Sequence, residues 1–444
     1  MMGRKDRRTS SRGRGMISPA PAMGVPGSIV AMQMGESRET RLPNGIRVLT
    51  ESIPGVRSVS VGVWVPQGSA HEGPQNTGAS HLLEHMVFKG TDLRGPRDIA
   101  MALERVGGSL DAFTSREHTS YQARVLSEHL PQALDVLSDL VLNPLLRPED
   151  LDLEREVVLE EIAAVEDTPD DLVFELHGDL LWGDHPYGRS ILGTRESVEG
   201  MSVEALRAIH QARYRCGGLI LAAAGHLEHD RLVETVAERF GHLPMGDSRV
   251  QGFPNPPLET SALDQRVSRD SAQTHVVFGV RTPARASAER FPLILLSAAF
   301  GGGMSSRLFQ RVREELALAY TVFSFQSFYT RAGISGVYVG TRPEWGDRAV
   351  DAIRGEFAQI SERGLPLDEL RSVKDQVKGQ MMLSLESTSA RLYRLAGFAL
   401  YDQPHLTLDQ QLGRIDRVTP EEVAQAAAHW FDPDRQVVLR LGPD

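Results

Sequence analysis

Gly62-Val63-Trp64-Val65-Pro66 and Gly279-Val280-Arg281-Thr282-Pro283 are two forms of one strand word, each closed by a proline that a central strand cannot continue through. Outward from this pair the correspondence persists. Leu192-Gly193 followed by Val198 matches Leu412-Gly413 followed by Val418, and Tyr214 and Gly225 are spaced like Phe431 and Gly442. All these pairs lie roughly 217–220 residues apart. A near-constant offset kept at separate places is the mark of an internal duplication. Gly45–Thr50 and Val59–Val65 alternate apolar residues as strands do, and residues 97–106 and 130–142 carry helical spacing. The expectation is an α+β fold of two similar domains, each an α/β sandwich of one sheet with helices packed on it.

The proline- and glycine-rich run from Gly241 to Thr260 has neither period and reads as a linker. This divides the chain into a basic, disordered tail at 1–36, a first domain at 37–243, a linker at 244–260 and a second domain at 261–444. The tail holds Arg4, Lys5, Arg7, Arg8, Arg12 and Arg14 without the apolar stretch a secretory signal needs. Organelle import by this tail is the alternative to a cytoplasmic location. No run of about 18 apolar residues is present, so no membrane span is expected. A net charge of -11 leaves no cationic excess for phosphates, which excludes nucleic acid as a partner. The single cysteine, Cys216, excludes an intramolecular disulfide and any cysteine-based metal site.

The chemistry is concentrated in His81-Leu82-Leu83-Glu84-His85. Histidines four apart stack on one helical face, so both imidazoles reach a single ion. Thr77 is placed to cap the start of that helix. Glu84 flanks the pair and is positioned to take a proton from a water whose pKa zinc lowers toward ~7. The order is the inverse of the HExxH zinc motif. A catalytic zinc needs a third protein ligand, and Glu154-Arg155-Glu156-Val157-Val158-Leu159-Glu160-Glu161 offers candidates. Glu154 and Glu161, seven apart, share a face, but a glutamate run by itself is usually a solvated surface.

The motif and the words around it, Phe88-Lys89-Gly90-Thr91 and His185-Pro186-Tyr187-Gly188, resemble the pitrilysin and insulysin superfamily of zinc peptidases. The likeness runs from about residue 38 to the end and is nearest to processing-peptidase-like bacterial members. In that family HxxEH is followed roughly 75 residues later by a ligand glutamate in a helix, and Glu161 stands at that distance from His85. The resemblance therefore implies zinc held by His81, His85 and Glu161, with Glu154 supporting the site. At the repeat offset, Ala298, Gly302 and Met381 replace the three ligands, so only the first copy is expected to hold metal.

Two further stretches carry over. Gly107-Gly108-Ser109-Leu110-Asp111-Ala112-Phe113-Thr114 resembles the family's substrate-binding edge strand, which implies peptide contacts at Gly108, Asp111, Ala112 and Phe113. Asp111 replaces the usual asparagine. Arg313 and Tyr320 keep the spacing of an Arg–Tyr pair that acts with Glu84 in catalysis, Tyr320 toward the oxyanion and Arg313 on the peptide backbone. Gly301-Gly302-Gly303 lacks the GK[ST] of a phosphate loop, so nucleotide is not expected. The family implies two domains enclosing a chamber, a metalloendopeptidase acting on unstructured peptides or extended segments, and work as a homodimer or with a related chain. The alternative is a non-catalytic partner subunit of such a heterodimer. His118, His226 and His275 lie outside any ligand spacing.

Overall fold

A computed structural model describes residues 36–215, 217–245 and 252–443. The expected tail, Glu36 excepted, lies outside the described residues, as do Cys216 and part of the expected linker.

The first half opens with β1 (Glu36–Arg41), β2 (Arg47–Ser52) and β3 (Ser58–Val65). Two helices follow, α1 (Ala79–Val87) and α2 (Pro96–Glu104), then the hairpin β4 (Ser109–Thr114) and β5 (Thr119–Leu126). Next come α3 (Leu130–Leu142), α4 (Pro148–Asp167), α5 (Pro169–Trp182), α6 (Arg195–Glu199) and α7 (Val203–Arg213). β6 (Ile220–Gly225) and α8 (His229–Phe240) close the half. The second half begins with β7 (Leu263–Ser268), β8 (Thr274–Thr282) and α9 (Arg290–Gly301). A π-helical turn at Phe309–Glu315 leads into β9 (Ala319–Phe328) and β10 (Gly333–Thr341). The chain continues through α10 (Gly346–Arg363), α11 (Leu367–Ser384), α12 (Thr388–Leu400), α13 (Leu408–Arg417) and α14 (Pro420–Trp430), and ends on β11 (Val437–Gly442).

Strand order carries the duplication into three dimensions. The first sheet runs β1-β2-β6-β3-β5-β4 and the second β7-β11-β8-β10-β9. In both, the last strand lies parallel to the first strand of the shared pattern and antiparallel to the second. Arg47 to Leu263 and Ser58 to Thr274 are steps of 216, and Ile220 to Val437 is a step of 217. The fold is two copies of one α/β unit. β1 is the addition of the first copy, pairing antiparallel with β2.

Each sheet is buried on both faces, and the two faces belong to different cores. On β6, Leu221 and Ala223 join the helices of the first half, whereas Ile220, Ala222 and Ala224 pack with Leu392, Leu395, Ala396 and Ala399 of α12. On β8, Val276, Phe278 and Val280 face the second half's own helices, and Val277 joins Val173 of α5. The period of two along a strand thus divides its side chains between the home helices and a helix lent by the other half. α5 lies on the second sheet and α12 on the first. Small residues make room for both. A Cβ at Gly279 would collide with the His177 imidazole of α5, whose Nε2 lies 3.1 Å from the Val437 carbonyl oxygen of β11. The α12 contact is also polar: buried Glu51 on β2 pairs with Arg391 and Arg394, and Ser60 bonds Thr388 at 2.8 Å. The halves consequently belong to one compact unit.

Two outcomes test this arrangement. Gly279→Ala should cost about 1–3 kcal/mol in denaturant unfolding by overpacking the α5 contact. Combined with His177→Ala, the penalty should fall short of the sum of the single changes, because both act on one contact. Burial pulls His177 down to about 4 against the pull of its bond to Val437. Between about pH 6.5 and 4 the unfolded chain therefore binds a proton that the folded chain refuses. Stability is full above the upper value and falls as pH drops through the window, and His177→Gln should flatten that slope in pH-dependent unfolding.

Candidate metal centre

α1 carries three of the four motif residues' roles in little more than a turn. Leu82, Leu83, Met86 and Val87 bury its apolar face, which leaves His81, Glu84 and His85 on the other flank. The helix starts differently from expectation. Its cap is Gly78 in a left-handed conformation with φ 87°, and Thr77 turns instead to donate to Ser197 Oγ at 2.9 Å. The free amides are taken by Glu72, whose carboxylate accepts from Gly78 N at 2.8 Å and Ser80 N at 2.6 Å. A side chain from the preceding loop reaches back to do what a local threonine does in most helices. Burial pushes Glu72 up to about 7, against these amide bonds.

α4 passes beside α1 and brings the third donor. The ligand atoms of His81, His85 and Glu161 all lie within 4.8 Å of one another. Glu161 stands 3.6 Å from His81 Nε2 and 3.8 Å from His85 Nε2. These separations are too long for hydrogen bonds. They approach the roughly 3.3 Å between two donors each ~2.0–2.1 Å from a tetrahedral zinc. The residues therefore fit a shared ion. Burial, assisted by the neighbouring His85, pulls His81 down to about 4, which keeps its ring neutral and its lone pair available at ordinary pH. The Glu161 side chain remains 41% exposed, so one flank of the cluster stays open to solvent.

Glu154 is buried behind the cluster and accepts from His85 Nδ1 at 3.1 Å, which fixes that ring with Nε2 turned toward Glu161. Its other oxygen pairs with Lys89. Glu84 meets the edge strand: Thr114 Oγ1 donates to its Oε2 at 2.6 Å, and its other oxygen has no hydrogen bond among the described residues. Burial raises Glu84's proton affinity, the Thr114 bond opposes this, and the Asp111 and Glu161 carboxylates add to it.

β4 is the edge of its sheet. Gly108 begins it where a Cβ would collide with Val125 and the Arg124 carbonyl. Asp111 and Phe113 share one face of the strand and Ala112 lies on the other, as the alternation requires. Phe113 packs beside His118 and Tyr393.

Arg313 and Tyr320 are brought to each other and not to the metal cluster. The guanidinium stacks 4.4 Å from the Tyr320 ring and donates to the Tyr320 carbonyl at 3.0 Å. Tyr320 is 76% exposed on β9, the edge of the second sheet. No hydrogen bond or ion pair joins either residue to His81, Glu84, His85 or Glu161 among the described residues. The segment between them is irregular, a π-helical turn followed by Ala317 at φ 51°, a kind of strain that concentrates at working sites. In the second copy, Ala298 and Gly302 sit at the end of α9 and Met381 on α11, none of them a ligand.

Lys89 and Thr114 stand inside motif words the sequence already singles out, without a chemical signal for their contacts. Glu72 and Tyr393 carry no sequence signal, because their partners lie on other elements.

Residues 47–195 match the family pattern described as insulinase (peptidase family M16), and residues 200–377 match the M16 inactive domain. An uncharacterized zinc protease of Mycobacterium tuberculosis is 42% identical over 419 residues, covering 91% of this chain and 93% of its own. The chain belongs to the M16 peptidase family. Another M16-like relative, an uncharacterized zinc protease of Bacillus subtilis, is 37% identical over 396 residues, covering 89% of this chain and 96% of its own. Among solved structures, a Helicobacter pylori protease superposes with TM-score 0.88 at 20% identity, covering 92% of this chain and all of that one. A Pseudomonas fluorescens structure described as a peptidase M16 inactive domain gives 0.86 at 22% identity, covering 92% and 98%. The M16 inactive-domain pattern runs from the last elements of the first half into α11, so it takes in Ala298 and Gly302 and ends just before Met381. No helix among the described residues is long and apolar enough to cross a membrane.

Replacing Glu154 by Gln should weaken zinc binding about 10–100-fold while leaving the circular dichroism spectrum unchanged, as read by competition against a chromogenic chelator.

Proposed function

We propose that this M16 chain is a zinc metalloendopeptidase acting on extended peptides. The observation that carries the reading is the meeting, at one end of β4, of a three-donor cluster with an open flank and a glutamate that has one oxygen free. Zinc held by His81, His85 and Glu161 would supply Lewis acidity to the scissile carbonyl and to an attacking water. Glu84 Oε1 takes the water's proton and later returns it to the leaving amine, while Thr114 holds Oε2 and so fixes the carboxylate's orientation. Burial brings Glu84's proton affinity toward the range in which both transfers are easy. Glu154 and Lys89 keep His85 in the required tautomer from behind.

The free edge of β4 supplies the rest. Ser115 N donates to His118 O at the mouth of the hairpin, so that pair is hydrogen-bonded. Antiparallel ladders alternate, and the pairs Ala112–Tyr121 and Leu110–Ala123 are then of the other kind. The main-chain groups of Leu110, Ala112 and Thr114 face away from β5, ready to pair with an added strand. Recognition through main chain needs an unfolded segment and no particular side chain. Two halves enclosing a chamber would exclude folded proteins for the same reason, with Tyr320 and Arg313 reaching the peptide from the opposite edge strand on closure. Cytoplasmic action as a pair of such chains is part of this reading.

The other reading is a non-catalytic partner subunit. It is disfavoured by the retention of His81, Glu84, His85 and Glu161 together with the support at Glu154. Glu84→Gln distinguishes the two. The variant should keep one equivalent of zinc and lose about 10²–10⁴-fold in hydrolysis of a quenched-fluorescent peptide. Wild-type protein that binds zinc yet cleaves nothing, alone or as an isolated dimer, would favour the partner subunit.

A further inference from the structure

The free edge of β4 is not simply vacant. Asp111 Oδ1 accepts a hydrogen bond from Ala112 N at 2.9 Å. By the alternation derived above, that amide is one of the outward donors an incoming peptide strand needs. The chain's own carboxylate thus occupies a rung of the ladder that substrate would form.

The carboxylate's surroundings say what would draw it away. Asp111 is exposed, and no lysine, arginine or histidine forms an ion pair with it among the described residues. It stands near two acidic groups, since its charge raises the proton affinity of both Glu84 and the Tyr393 hydroxyl. The Phe113 and Tyr393 rings, 6.0 Å apart, lie beside it on the same face of the strand. A peptide residue paired with Asp111 on the free edge would project its side chain to that face, within about 5 Å. An anion with aromatic faces alongside is a receptor for a cation.

We propose that Asp111 is a specificity-determining cap on the peptide-binding edge. It holds the Ala112 N–H until a peptide places a cationic side chain opposite it, and that cation takes the carboxylate and releases the amide for the ladder. The substrate class is then extended peptides bearing a lysine or arginine at one fixed distance from the scissile bond. The proposal rests on reading β4 as the substrate edge.

The test is a set of neutral peptides with one arginine moved a position at a time, each with a citrulline twin that keeps the shape and removes the charge. Cleavage is measured with wild-type protein, and binding by fluorescence anisotropy with the zinc-loaded Glu84→Gln variant. At one position the arginine peptide should be favoured roughly three- to tenfold in both readouts. In Asp111→Asn and Asp111→Ala the ratio should fall to about one, with zinc content unchanged, and Asp111→Ala should bind the citrulline twin several-fold better because the amide is free. A charge preference that survives both substitutions overturns the proposal. Cleavage with no preference at any position overturns it and leaves the peptidase reading standing. Charge-selective binding without cleavage in the wild type does the reverse, and absence of both binding and cleavage overturns both.

Discussion

The arrangement everything else depends on is the exchange of α5 and α12 between the two sheets. α4 ends at Asp167, Thr168 breaks the helix, and Pro169 starts α5 with an imino nitrogen that needs no partner. The helix that carries Glu154 and Glu161 therefore runs straight into the helix clamped on the other half. The position of the third ligand is set by two anchors: the packing of α4 on α1, and the lodging of α5 over Gly279. The same logic in the second half sends α11 into α12, which covers the first sheet and carries Tyr393 to the face of β4. The cluster lies wholly in the first half, but the second half holds the helix that extends it. Burial of Val173, Leu392 and their neighbours ties the geometry of the cluster to the integrity of the whole unit.

A second constraint is electrostatic. Burial raises the proton affinity of Glu84, and the Asp111 and Glu161 carboxylates beside it add to the effect. Lys89, the cation paired behind the cluster, is spent on Glu154. Such a concentration of carboxylates is unfavourable unless a strong positive charge is shared among them. A divalent ion would meet that need for the inner pair, and at Asp111 the cation is left for an incoming ligand to bring. One charge imbalance thus underlies both the metal site and the proposed selectivity.

Legibility from sequence followed the range of the interaction. The duplication was visible because equal offsets need no contact to be recognised, and His81, Glu84 and His85 because a short motif marks them, whereas Glu161 was reached only through the resemblance to the peptidase superfamily. Helical spacing placed α3 on its observed residues, and strand alternation located β2 and β3 to within a residue or two. What escaped depends on groups far apart in the chain. Thr77 has the chemistry of a cap, but the backbone takes a left-handed turn at Gly78, where it packs against Leu192 and Gly193, and that places Glu72 on the amides. The helix exchange escaped for the same reason: nothing in the sequence around Ala222 and Ala224 says that the helix above them comes from residues near 395. Arg313 and Tyr320 kept their spacing yet form a stacked pair on their own edge, a conformational matter that spacing does not encode.

The second copy differs from the first in packing as well as in donors. At the place of His85 stands Gly302, where a Cβ would press on the backbone of Ala298. One residue earlier, a Cβ at Gly301 would run into the main chain of Ser324 on β9. α9 thus packs closely on the neighbouring edge strand. Ser297 and Ser324 bond across the gap at 3.0 Å and hold it shut. In the first copy the helix meets the edge strand through the Glu84–Thr114 bond and carries a cluster with an open flank. The second draws them together, which supports β9 and the Arg313–Tyr320 pair that the strand presents. The same duplicated frame yields a reactive edge in one half and a packed one in the other, and the difference comes down to how closely a single helix approaches its strand.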